Sequence, residues 1–137
     1  NHPKDDAEII DLYKNAITAK TKVILVSHMI NITGQILPIK KISEMAHQYG
    51  VQVIVDGAHA FAHIQFSIAD LGCDYYAASL HKWLSVPLGA GLLFAAIARD
   101  NNKSRLYIYY ILNQFYIKKM SLFPFKEYII KIIIFVV

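Results

Sequence analysis

Two short apolar runs, each ending abruptly on polar chemistry, constrain this chain more than any other feature. Val51–Val55 is continuous and β-branched, and it stops at Asp56. Asp74–Ser79 stops at Leu80-His81-Lys82. Short apolar runs bounded by turn residues read as buried strands. Strands of that kind build open α/β sheets, whose ligands lie beyond the carboxyl ends of the strands. One acid, one lysine and two histidines, His59 and His81, gather at those ends.

The flanking segments fit the same plan. Val23–Val26 reads as another buried parallel strand. Pro38 opens a helix at its first position, with Ile39, Ile42, Met45, Ala46 and Tyr49 at helical spacing and Gly50 as a left-handed cap. Strand, helix and strand in this order make a right-handed βαβ unit. Upstream, Asp5 or Asp6 caps a helix with Ile9, Ile10, Tyr13 and Ile17 on one face. Downstream, a helical turn is expected near Ile68–Leu71, broken by Gly72. A loop over Ser85–Gly91 then leads to a strand over Leu92–Ile97. The expected fold class is α/β, a partial three-layer, mostly parallel sheet with helices on its faces.

A length of 137 residues suits one ordinary domain. The formal net charge of +4 comes with no Lys/Arg run, so no nucleic-acid partner is expected. The apolar run Ile132–Val137 is far shorter than the ~20 residues of a membrane helix, so no membrane partner is expected either. The polar N-terminus has no apolar leader core, and the single Cys73 excludes an internal disulfide. Both suit a cytoplasmic location. Beyond about Ala98 the character changes: Leu106–Val137 has neither Gly nor Ala. Residues 1–98 are therefore read as one unit and 99–137 as a divergent Ile/Tyr/Phe/Lys-rich tail. The tail is read either as a frameshift product or as a helix with Tyr109, Leu112, Phe115 and Tyr116 along one stripe.

The polar residues at the strand ends match the needs of one cofactor. Pyridoxal 5'-phosphate (PLP) takes a lysine for its aldehyde, an acid for its ring nitrogen, and hydroxyl or imidazole donors for its phosphate. Lys82 and Asp56 are the lysine and the acid. Such a lysine reacts as the neutral amine, so partial burial beside apolar or cationic neighbours is expected at Lys82. The small residues around His59, Gly57-Ala58 and Ala60, would let the backbone pass close to a ligand ring. Plainer readings stand beside these. Asp56 can cap the turn at Gly57, Asn31 is an ordinary turn residue, His59 can be satisfied by backbone, and Cys73 is a small buried residue. Asp56, His59 and His63 would suit a metal only on a helix. Gly57 and the lack of an HExxH glutamate argue against that, and no metal is assigned. His28, His47 and His63 receive no role.

Three motifs occur in order: Val55-Asp56-Gly57-Ala58-His59-Ala60, Ser79-Leu80-His81-Lys82-Trp83 and Pro87-Leu88-Gly89-Ala90-Gly91. Together they resemble the class V aminotransferase family, fold type I PLP enzymes that include isopenicillin N epimerases and cysteine desulfurases. The similarity runs from about Asn1 to about Ala98. Desulfurases usually carry Gln at the position of His59, so the chain looks more like the epimerase-like branch. The resemblance implies that Lys82 carries the cofactor and serves as acid and base, and that Asp56 faces the ring nitrogen. It further implies that Asn31 and His59 lie at the ring hydroxyl, and that Ser79 and His81 contact the phosphate. The implied activity is epimerase, transaminase or desulfurase/lyase chemistry on an amino-acid substrate, in a homodimer. Family members are much longer, and neither Arg99 nor Arg105 matches their substrate-carboxylate arginine. The alternative is therefore a truncated, non-catalytic remnant of the large PLP domain. Uncovered sheet edges in so short a chain predict aggregation.

Overall fold

A computed structural model of the chain describes residues 3, 5–100, 103–113 and 116–118, with side-chain surroundings up to Ala96. Phe115 and residues 119–137 of the expected tail lie outside the described residues.

The first helix, α1, runs Asp6–Ala16. Asp5 is its N-cap, accepting the Glu8 N–H at 2.9 Å, and Asp6 and Glu8 in the first turn complement the helix dipole. Ile9 is buried, and Ile10, Tyr13 and Ile17 pack partly against the core. The second helix, α2, runs Ile39–Gln48 and buries Ile39, Ile42, Ser43, Met45 and Ala46. Pro38 is its N-cap, so it lies one position before the helix and not at its first residue. Tyr49, expected on the buried stripe, is 49% exposed. It sits past the last turn, where the chain swings outward through Gly50 at φ +67°.

Three five-residue strands follow the expected positions: β1 (Val23–Ser27), β2 (Gln52–Asp56) and β3 (Tyr75–Ser79). They pair in parallel, with Ser27 opposite Asp56 and Asp56 opposite Ala77. Their carboxyl ends therefore form one continuous rim. A short 3-10 helix at Ile68–Leu71 leads into β3, and Gly72 at φ +65° turns the chain after it. A four-residue helix, α3 (Leu80–Trp83), leaves β3 directly. Strand β4 (Gly91–Asp100) returns antiparallel to β3, with Ser79 opposite Gly91.

The sheet continues antiparallel through β5 (Lys103–Asn113) and β6 (Tyr116–Lys118), in the order β1-β2-β3-β4-β5-β6. The helical stripe expected over Tyr109, Leu112 and Tyr116 is thus corrected to extended chain. Aromatic and β-branched residues favour strands, and the edge of β4 offers a template for pairing.

The core lies on one face of the sheet. Ile24, Val26, Val53, Val55, Tyr76, Ala78 and Phe94 meet Ile9, Ile39, Ile42 and Ala46 there. Each fully buried aliphatic side chain of this kind contributes roughly 1.5–3 kcal/mol. The opposite face is open. Leu25 is 68% and Val23 42% exposed, so β1 alternates outward and inward and is not buried on both faces as its sequence suggests. The apolar run is continuous, but the described residues provide helices for only one side of it.

One polar joint ties the layers together. Asp74, just before β3, accepts the Val53 N–H at 2.7 Å and the His47 Nε2–H at 3.0 Å. Its own N–H donates to the Val53 carbonyl. With 13% of its side chain exposed, this carboxylate links α2, β2 and β3 at the end of the sheet opposite the rim.

Candidate cofactor site

Strand register builds the site. Asp56 lies opposite Ala77, and Ser79 lies two residues further along β3, so both side chains project from the same sheet face. Gly91, opposite Ser79, adds no side chain. The result is an open depression lined by Asp56, Ala77, Ser79, Gly91 and Leu93 among others. Asp56 Oδ1 accepts the Ala58 N–H at 2.9 Å, which forms the turn after β2. Its other carboxylate oxygen has no hydrogen bond among the described residues. The turn-capping and ligand-facing readings of Asp56 are thus compatible.

That turn carries His59 towards α3. Lys82 Nζ donates to His59 Nε2 at 2.8 Å, which leaves the imidazole proton on Nδ1. The His59 ring also meets Trp83 edge-on, with centroids 6.4 Å apart. Lys82 itself is exposed, not partly buried as expected. Helix α3 stands on the rim, and only Leu80 of its four residues is buried. His81 has its Nδ1 buried with no hydrogen-bond partner among the described residues. Ser79, the N-cap of α3, makes no side-chain cap bond. A hydroxyl and an imidazole nitrogen that no hydrogen bond engages among the described residues therefore lie just ahead of Lys82 in the chain.

Asn31 stands apart. It begins an exposed turn at 31–33, in a loop closed by the Met29–Ile36 bridge. This loop starts beside the rim, because the His28 N–H donates to the Asp56 carbonyl at 2.8 Å. No hydrogen bond joins Asn31 to the other five candidate residues among those described.

Four further residues that received no role from the sequence, His28, Tyr76, His63 and Trp83, also make close contacts around the site. His28 is buried, and its Nδ1 shares a hydrogen bond with the Tyr76 hydroxyl at 3.1 Å. Phe66 closes on the His28 ring edge-on at 4.6 Å. Burial pushes the His28 imidazole down from its ordinary range. Burial, reinforced by Cys73 and Asp56, pushes the Tyr76 phenol well up. Gly57 is explained here too. A Cβ at this position would run into the Tyr76 ring, so the missing side chain makes room for a core tyrosine. The other two are His63 and Trp83, whose rings stack with centroids 4.0 Å apart. Lone histidines in loops carry no periodicity, so nothing local singled out His28 or His63.

A lysine, an acid and two imidazoles thus stand along the carboxyl rim of an α/β sheet, the place where open folds of this class hold their ligands. The family model for class-V aminotransferases matches residues 3–106, and the chain belongs to that family. It is 39% identical over 97 residues to an isopenicillin N epimerase of Streptomyces clavuligerus, covering 71% of this chain and 24% of that protein. It is 38% identical over 91 residues to a probable cysteine desulfurase of Halalkalibacterium halodurans, covering 66% and 22%. Among solved structures it is similar to the cysteine desulfurase CsdA of Escherichia coli, at 32% identity and a TM-score of 0.58, over 63% of this chain and 21% of that one. The chain thus spans about a quarter of the length of the curated relatives it matches. The family is PLP-dependent. No helix among the described residues is long and apolar enough to cross a membrane.

Proposed function

We propose that Lys82 is the attachment point for PLP, and that the chain contributes the cofactor-holding core of an enzyme acting on an amino acid. The observation that carries this reading is the 2.8 Å contact between Lys82 Nζ and His59 Nε2, on the rim that also carries Asp56. The donor set fits the group. An amine, a carboxylate with one uncommitted oxygen, a hydroxyl and a buried imidazole nitrogen without a partner are what its aldehyde, ring nitrogen and phosphate require. When bound, PLP supplies an electron sink for negative charge developing at the substrate α-carbon.

The chain's own residues then have distinct tasks. Asp56 holds a proton on the ring nitrogen by ion pairing. Ser79 Oγ–H and His81 Nδ1–H donate to the phosphate, and charge-assisted bonds of this kind are the stronger ones. His59 would hold the ring at its hydroxyl, and Asn31, in the loop that starts beside the rim, would join it there. Lys82 Nζ takes and returns a proton at the substrate α-carbon, with His59 Nε2 as its hydrogen-bond partner. Epimerase, transaminase and desulfurase/lyase chemistries all begin with this arrangement. His59, where desulfurases usually have Gln, favours the epimerase-like branch, and the full-length enzyme is proposed as a cytoplasmic homodimer.

Borohydride reduction of the chain with PLP, followed by peptide mass mapping, tests the reading. A phosphopyridoxyl group on Lys82, lost in Lys82→Ala, is the expected result. Label scattered over surface lysines, with a folded circular dichroism spectrum, would overturn it. No label on an unfolded chain would favour the non-catalytic remnant instead.

A further inference from the structure

We infer that His63 is a positioning residue that clamps the turn after β2 onto α3 and so holds His59 beside Lys82. This deepens the reading of Lys82 given above and rests on it. The clamp has two contacts. The His63 ring lies on the Trp83 indole, with centroids 4.0 Å apart and planes within 24° of parallel. Its Nδ1–H donates to the His59 carbonyl at 3.1 Å. The indole is therefore met by two imidazoles from one turn, His63 on its face and His59 edge-on.

The need for a clamp follows from α3 itself. Four residues make one turn, too short to be stable alone. Ser79 gives it no side-chain cap bond, and Leu80 is its only buried anchor. Lys82 has a long flexible stem and is exposed. Among the described residues, the side-chain hydrogen bond and ring contacts that join this helix to the β2 turn are those of Lys82 and Trp83 with His59 and His63. The turn is also shaped for the purpose. Ala62, immediately before His63, adopts φ +61°, a left-handed conformation that residues other than glycine seldom take.

Trp83 is the chain's single tryptophan, so tryptophan fluorescence reads the surroundings of this one indole and needs no cofactor. His63→Ala is expected to raise acrylamide quenching of Trp83 and to slow borohydride-trapped PLP labelling at Lys82 by about tenfold, less than the ~100-fold that a reacting group misplaced by ~1 Å can cost. His63→Phe, which restores a flat ring, is expected to recover the wild-type quenching and most of the labelling rate. Unchanged quenching in His63→Ala would overturn the clamp. Changed quenching with unchanged labelling would overturn the positioning role, as would a His63→Phe variant no better than His63→Ala. Failure of the wild type to label at Lys82 would instead sink the cofactor reading, and the positioning role with it, before any His63 variant is compared.

Discussion

At the scale of single residues, the pairing of His28 with Tyr76 has a consequence for stability. His28 is 4% exposed and buried with its neutral imidazole bonded to the phenol. Its folded pKa lies below the unfolded value of about 6.5. The unfolded chain therefore binds more protons, so stability from this group is full above that value and falls as pH drops through and below it. The urea midpoint should decline between pH 7 and pH 5, with a slope from this group of at most about 1.4 kcal/mol per pH unit. His28→Gln should lower stability at pH 7 and flatten the profile. An unchanged slope in that variant would remove His28 as the source. The roles proposed for Lys82 and His63 belong to the same scale, and the labelling experiments separate them.

At the scale of elements, Asp74 decides how α2, β2 and β3 meet. Its carboxylate serves two donors on two other elements, and hydrogen bonds to a charged group are each worth roughly 1.5–3 kcal/mol. Asp74→Ala should therefore destabilise the fold by about 3 kcal/mol, read as a lower urea midpoint at constant slope. His47→Ala should cost less, about 1.5 kcal/mol, because the backbone donor from Val53 remains. Equal losses in the two variants would show that the Val53 contact adds nothing. Both contacts were invisible in the linear chain. Asp74 read as the first residue of a strand, whereas β3 begins at Tyr75 and Asp74 is the bracket before it. The caps were legible by contrast. Asp5, Gly50 and Gly72 each act within a few residues of themselves.

At the scale of the whole molecule, the open sheet face dominates. Register aligns Leu25, Ile54 and Tyr75 in a row across β1, β2 and β3, opposite the helical layer. Leu25 is 68% exposed within that row. Exposed apolar patches beside an unpaired strand edge favour association. The chain by itself should elute in size-exclusion above its 15.6 kDa monomer mass. Leu25→Lys should shift it toward the monomer while changing stability by no more than about 0.5 kcal/mol. A compact wild-type monomer would show that this face does not drive association. The relatives matched are about three times as long, and a longer polypeptide has the material to cover such a face.

The linear chain by itself determined the elements and the chemistry at their ends. The runs ending at Asp56 and before Lys82 were strands, the 3-10 turn fell at Ile68–Leu71, and the motifs gathered an acid, a lysine and imidazoles on one rim. These features depend on periodicity, capping and strand direction, all of which act over a few residues. Tertiary structure alone decided the pairs. His28 meets Tyr76 across 48 positions and His47 meets Asp74 across 27. His63 meets Trp83, and Gly57 owes its missing side chain to Tyr76. It also decided that, among the described residues, β1 is covered on one side only and that Lys103–Asn113 and Tyr116–Lys118 extend the sheet. Such contacts follow from strand register and from which faces the helices cover, and a one-residue slip would reverse every one of those faces.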